Sequence, residues 1–325
     1  MTTAFVLSGG GSLGAVQVGM LRALADQQVT PDLLVGTSAG ALNAAFVAGH
    51  GFETAGIDAL ARVWGGLRAR SVFSLDVRHA LGALAGRRSA LLVDRGMRAL
   101  LRQHLRFARL EDSPVPLVVV ATDQLTGREM ALTEGDAQLA VLASCAIPAV
   151  FPAVTLDGVA LVDGGLANNT ALSAAVSAGA DTIYVLPSGY PCALPQAPRT
   201  PLSAALHALT LLSHQRLAAD LAFYADTVDL IVLPPPCPIR TSAANFARGA
   251  ELIQRAHRDA STALADAGGR RAQPGHLIAV HSHPASTHGP IDGRGRRTSR
   301  LPVVGSCDRE ISAEPAEPGH CRPCS

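Results

Sequence analysis

The chain has 325 residues, 48% of them hydrophobic and 4% aromatic, and a net charge of +1. That length and apolar share suffice to bury a large core, and the balanced charge excludes nucleic-acid binding driven by bulk charge. Lysine is absent, every strongly basic side chain being arginine, which excludes a phosphate-binding loop of the lysine-dependent type.

From the N-terminus, an apolar run predicts a strand over 4–8. It is followed by Ser8-Gly9-Gly10-Gly11-Ser12-Leu13-Gly14 and a helix over 14–27 with apolar positions at Val16, Met20, Leu21 and Leu24. The loop has two readings. It can cradle a phosphate at a helix N-terminus, as in dinucleotide-binding folds, or present backbone N–H groups as an oxyanion hole. Gly9, Gly11 and Gly14 satisfy the spacing Gly-x-Gly-x-x-Gly, yet the acidic residue about 20 positions on that a dinucleotide site uses is missing. The first residues lack a basic segment, so they read as a strand and not as a secretory leader. With no candidate membrane span, this predicts a cytoplasmic chain and leaves peripheral membrane contact open.

Pro31-Asp32 marks a turn, and a strand is predicted over 33–36. It runs into Val35-Gly36-Thr37-Ser38-Ala39-Gly40 and then a proline-free, alanine-rich helix over 39–49. The order strand, tight turn, helix is the context of a nucleophile elbow, with Ser38 exposed on the turn. Gly36 and Gly40 remove side chains where helix and strand come closest. The alternative is a structural turn with an incidental serine.

Helices are predicted next over 54–66 and 94–105. Between them, residues 67–93 mix arginine with leucine, phenylalanine and valine and read as a cap or as a surface helix. Strands follow at 116–122 and 128–132, then a helix at 136–145. The apolar run over 139–156 is broken by Pro148 and Pro152, too broken for a membrane span. A strand over 159–162 leads to Asp163-Gly164-Gly165, which by itself is a common turn signal. A helix at 171–178, strands at 182–187 and 228–233, and helices at 200–224 and 243–267 complete the pattern. The alternation argues an α/β layered fold with a largely parallel sheet. Residues 268–325 are rich in arginine, glycine, proline and histidine without apolar periodicity, and read as a disordered tail after a domain over 1–267. The Cys321-x-x-Cys324 pair with a distant Cys307 falls short of a zinc site, so no metal is expected. Cys145, Cys192 and Cys237 read as packed thiols.

Adjacent strands lie about 4.8 Å apart, so the glycine loop after the first strand reaches a carbonyl attached to Ser38 after the second. Taken together, GGGSLG, GTSAG and Asp163-Gly164-Gly165 occur in the order of the patatin-like phospholipase family, which the chain resembles from about Phe5 to about Ala267. The resemblance implies a three-layer patatin-like fold with a mostly parallel central sheet flanked by helices. It also implies Ser38 as nucleophile and Asp163, flanked by Gly164 and Gly165, as its base. The oxyanion hole would come from Gly9, Gly10, Gly11, Ser12 and Gly14, and the substrate would be a lipid ester. Such a serine–aspartate dyad needs no histidine, metal or organic cofactor. An aspartate in an apolar-walled cleft is expected to titrate above its ordinary range.

Two departures from the family pattern are visible. Leu13 stands where many members carry arginine, and Asn169-Thr170-Ala171 stands where many read Asn-x-Pro. Two alternatives stay open. One is an α/β-hydrolase triad using His207, His214 or His257, although such folds carry several strands before the elbow. The other is a non-catalytic nucleotide-binding module on the Gly9–Gly14 loop.

Overall fold

The structure is a computed structural model that describes residues 1–267 apart from 75, 88, 190–200 and 240. Cys192 and the predicted tail over 268–325 lie outside the described residues.

Among the described residues, eight strands form one mixed sheet: β1 (Thr3–Leu7), β2 (Leu33–Thr37), β3 (Leu117–Asp123), β4 (Glu129–Leu132), β5 (Val154–Leu156), β6 (Val159–Asp163), β7 (Thr182–Leu186) and β8 (Asp229–Val232). Their order is β5-β6-β3-β2-β1-β7-β8, with β4 on the other edge of β3. Strands β3, β2, β1, β7 and β8 are parallel, while β4, β5 and β6 join by antiparallel pairing. The parallel strands are apolar in nearly every position because helices cover both faces.

Side-chain alternation divides the core. Phe5, Leu7, Leu34, Val119 and Ala121 face one helical layer. It contains α1 (Gly14–Asp26), α2 (Ala39–His50), α3 (Thr54–Gly66), α6 (Arg95–His104), α7 (Ala137–Ser144) and α11 (Gly249–Ala267). Ala4, Val6, Val35, Val118, Val120, Ile183 and Val185 face the other layer, built from α9 (Leu172–Ser177) and α10 (Pro201–Tyr224). Together these make three layers, as the sequence leads one to expect.

The segment over 67–93 forms two short helices, α4 (Ala69–Val72) and α5 (Val77–Leu84). Another short helix, α8 (Gly165–Asn168), follows Asp163. The predicted helix over 243–267 begins later, at Gly249. Asn245 accepts from Ala247 N–H and sets up a single 3-10 turn over Phe246–Arg248 before the α-helix starts. Among the described residues, no helix is long and apolar enough to cross a membrane.

Candidate active site

The site lies where β1, β2 and β6 deliver their ends side by side. β1 and β2 pair in parallel with Leu7 opposite Gly36, and β2 continues to Thr37 opposite Val120 of β3. Strand β6 runs antiparallel to β3 and places Asp163 opposite Ala121. β2 and β6 follow one another along the same edge of β3, opposite the edge that β4 takes, so Ser38 and Asp163 meet there although 125 residues separate them.

Ser38 occupies the N-cap of α2 with φ 54° and ψ −120°. A non-glycine residue at positive φ is strained, and such strain persists only where surrounding structure enforces it. The enforcement is visible. Ser38 N–H donates to Ser144 Oγ at 2.8 Å, and Ser144 Oγ–H donates to Val120 C=O at 2.5 Å. A Cβ on Gly36 would come within 2.6 Å of Ala41 Cα, and one on Gly40 would run into the Leu7 carbonyl. Glycine at both positions lets helix α2 close down on β1 and β2.

Ser38 Oγ–H donates to Asp163 Oδ2 at 2.7 Å, and Gly165 N–H donates to Asp163 Oδ1 at 2.8 Å. Both Ser38 and Asp163 are buried. The backbone of Asp163 is fixed as well: its N–H donates to Ala146 C=O at 2.9 Å, and its carbonyl accepts from Thr122 Oγ1 at 2.9 Å. Burial pushes the Asp163 carboxyl up to about 6, against the opposing pull of the Ser38 and Gly165 hydrogen bonds. A carboxylate so placed accepts a proton more readily than a free one. Buried Cys145 lies beside the pair, and burial followed by the Asp163 charge pushes its thiol well above the ordinary range.

The glycine loop passes over the same end of the sheet. Three of its five singled-out N–H groups are committed to carbonyls. Gly9 N–H donates to Asn169 C=O at 3.1 Å, Ser12 N–H to Ala243 C=O at 2.7 Å, and Gly14 N–H to the carbonyls of Gly11 and Ser12. Gly10 and Gly11 N–H have no hydrogen-bond acceptor among the described residues. Gly11 has φ +58°, a left-handed conformation that glycine adopts at little cost. A Cβ on Gly9 would sit 3.2 Å from Ser38 Cβ, so the loop abuts the serine.

Two residues outside the glycine loop, the elbow and the aspartate turn help hold this arrangement. Asn169 takes Gly9 N–H on its carbonyl and donates Nδ2 to Gly9 C=O at 3.4 Å, tying the turn after Asp163 to the glycine loop. Ser188 Oγ–H donates to Gly9 C=O at 2.6 Å. Two of the three histidines considered for a triad bond to other groups: His214 Nε2 is 2.9 Å from Gly189 C=O, and His257 Nε2 is 2.6 Å from Asp26 Oδ2. Asp123, at the end of β3, caps its own turn by accepting from Leu125 N–H and Thr126 Oγ1.

An apolar crevice runs along α2 between α3 and α6, lined by Leu42, Phe46, Leu60, Leu101 and Leu105 among others. Leu42 N–H donates to the Ser38 carbonyl, so the lining starts one helical turn from the serine.

The fold and site define a three-layer α/β protein with a buried serine–aspartate pair at the edge of its sheet. The patatin-like phospholipase family matches residues 5–176, more than half of the chain. The chain belongs to the patatin-like phospholipase family. It is 29% identical over 190 residues to patatin-like phospholipase domain-containing protein 7 of Mus musculus, covering 57% of this chain and 13% of that protein. It is 29% identical over 187 residues to an uncharacterized NTE family protein of Mycobacterium tuberculosis, covering 57% and 49%. It is 28% identical over 186 residues to lysophospholipase NTE1 of Pyricularia oryzae, covering 57% and 12%. The chain therefore spans half or less of the length of these relatives.

Proposed function

We propose that the chain is a lipid acyl hydrolase that cleaves carboxylic esters through an acyl-enzyme on Ser38, with Asp163 as the base. The observation that carries this reading is the 2.7 Å hydrogen bond from Ser38 Oγ to the buried Asp163 carboxylate, made by a serine held at positive φ. As Ser38 Oγ bonds to the substrate carbonyl carbon, its proton passes to Asp163 Oδ2. The carbonyl oxygen becomes an oxyanion, held by Gly10 and Gly11 N–H and by the positive end of the α2 dipole. The tetrahedral intermediate collapses, the C–O bond to the alcohol breaks, and the leaving oxygen takes the proton from Asp163. Water then attacks the acyl carbonyl and gives its proton to Asp163. Ser38 departs, regains that proton, and the carboxylic acid is released.

Family membership supports a lipid ester as substrate, and the name of the fungal relative points to lysophospholipids among the esters to be tried. The apolar crevice beginning at Leu42 supplies a wall for an acyl chain. A fluorophosphonate probe tests the reading directly. Incubation with the full chain should leave a single phosphonyl group on the peptide containing Ser38, and p-nitrophenyl ester turnover should fall in proportion to labelling. Labelling elsewhere, or turnover that survives complete labelling, overturns it.

The pH profile is a second test. Asp163 must be ionised to accept the Ser38 proton, and its carboxyl is pushed up to about 6. The value of kcat/KM should therefore be flat at neutral pH and fall about tenfold per pH unit below about 6. A profile flat down to pH 5 would assign the base role to a group with an ordinary carboxylate pKa.

A further inference from the structure

We propose that Gln17, Asn43 and Trp64 form a relay of positioning residues that aims the Gly10 and Gly11 N–H groups at the developing oxyanion. The proposal rests on the reading of Ser38 as nucleophile. None of the three belongs to the glycine loop, the elbow pentapeptide or the aspartate turn. Gln17 lies on α1, Asn43 on α2 and Trp64 on α3, and all three are buried.

Their hydrogen bonds form one continuous chain. Trp64 Nε1–H donates to Asn43 Oδ1 at 2.7 Å. Asn43 Nδ2 donates to Gly14 C=O at 2.9 Å and to Gln17 Oε1 at 2.8 Å. Gln17 Nε2 donates to Ser8 C=O at 2.7 Å and to Leu186 C=O at 3.0 Å. Every N–H of the three polar heads is used, and both amide oxygens are matched. Ser8 and Gly14 are the two ends of the glycine loop, so the relay grips the loop at both ends and anchors it to β7 through Leu186.

The chemistry explains why a core would carry such a network. Burying two amides and an indole N–H among apolar neighbours is costly unless every partner is in place. Four of the loop's seven residues are glycines, which leaves Ser8, Ser12 and Leu13 as the side chains by which packing can hold it. An oxyanion hole works only if its donors are fixed before the charge develops. The Trp64 ring also presses on the loop end, since a Cβ on Gly14 would fall 2.8 Å from Trp64 Cζ2 and Cη2. Stacking on Phe246, with ring centroids 6.2 Å apart, holds that ring in turn.

Trp64→Phe keeps an aromatic ring and removes both the donor that fixes Asn43 and the Cζ2–Cη2 edge that presses on Gly14. On a short-chain p-nitrophenyl ester, kcat is expected to fall on the order of 10–10²-fold with KM little changed, as small misplacement of a catalytic group does. The rate of Ser38 phosphonylation, whose transition state also builds charge on oxygen, should fall by the same factor. A variant that melts cooperatively at lower temperature but keeps wild-type kcat below its transition would make the relay structural only and overturn the proposal. Trp64 is the only tryptophan in the chain, so wild-type protein gives an independent measurement should the variant not fold. Its single indole N–H resonance should shift when Ser38 is phosphonylated, and an unmoved resonance overturns the proposal. Failure of wild-type protein to label or turn over at all would instead sink the nucleophile assignment, which keeps the two ideas distinguishable.

Discussion

Replacing Ser38 by alanine is expected to lower ester turnover on the order of 10⁴–10⁶-fold while leaving the protein folded, in line with the loss of other serine nucleophiles. The chemical reason is that no other group stands in its place. The neighbouring Cys145 thiol is buried and pushed away from ionisation by burial and by the Asp163 charge, so it does not supply a substitute nucleophile. The structural reason for a folded product is that the elbow is enforced from outside the side chain. Ser38 N–H is bound by Ser144 Oγ, and the close approach of α2 depends on Gly36 and Gly40. Alanine keeps the positive-φ strain and loses one hydrogen bond to a charged partner, a change of about 1–3 kcal/mol. Glycine at the same position relieves the strain, so Ser38→Gly should melt above Ser38→Ala although both are inactive. Turnover of purified Ser38→Ala within tenfold of wild type would sink the assignment, and the melting order of the two variants checks whether the elbow is strained.

Local motifs and distant contacts differ in how they can be read from a sequence. The glycine loop, the elbow and the aspartate turn each sit where an apolar strand ends, and their glycines answer to clashes within a few residues or with the adjacent strand. They are legible because sequence neighbours form them. Most helices are legible too, since alanine-rich or amphipathic runs without proline leave few alternatives. Strand β5 is not, because three residues after Pro152 give no alternation to count. Nor is the antiparallel edge of the sheet, since direction depends on how Asp163 pairs with Ala121 and not on the composition of β6. The N–H groups of the glycine loop show the limit most clearly. Six N–H groups look alike in the string Gly9-Gly10-Gly11-Ser12-Leu13-Gly14, and the claims of Asn169 on Gly9 and of Ala243 on Ser12 come from residues 160 and more than 200 positions away. Gln17, Asn43 and Trp64 read as ordinary helix positions, and only tertiary packing brings their polar heads together.

Asp163→Asn is expected to lower kcat/KM on the order of 10³–10⁴-fold and yet not to weaken the fold at pH 8. Asparagine matches the hydrogen-bond geometry in place: its Oδ1 can accept Gly165 N–H as the carboxylate does, at 2.8 Å, and its Nδ2 can donate to Ser38 Oγ across the 2.7 Å gap. What it loses is the ability to take a proton. The consequence for stability follows from the direction of the pKa shift. In the unfolded chain Asp163 titrates near its ordinary value of 3.8, and in the folded protein burial raises it to about 6. Between those values the folded state binds more protons than the unfolded state, so stability falls as pH rises. The favourable contribution of the neutral carboxyl is complete below the ordinary carboxylate value and is gone above about 6. At pH 8 wild type therefore holds a buried charge at a cost, which the neutral amide removes. Thermal melts of both proteins at pH 5 and pH 8 should show Asp163→Asn gaining on wild type as pH rises. A variant that loses ground at pH 8 would mean the carboxylate stabilises the fold, and one that keeps turnover within tenfold of wild type would mean that another group deprotonates Ser38.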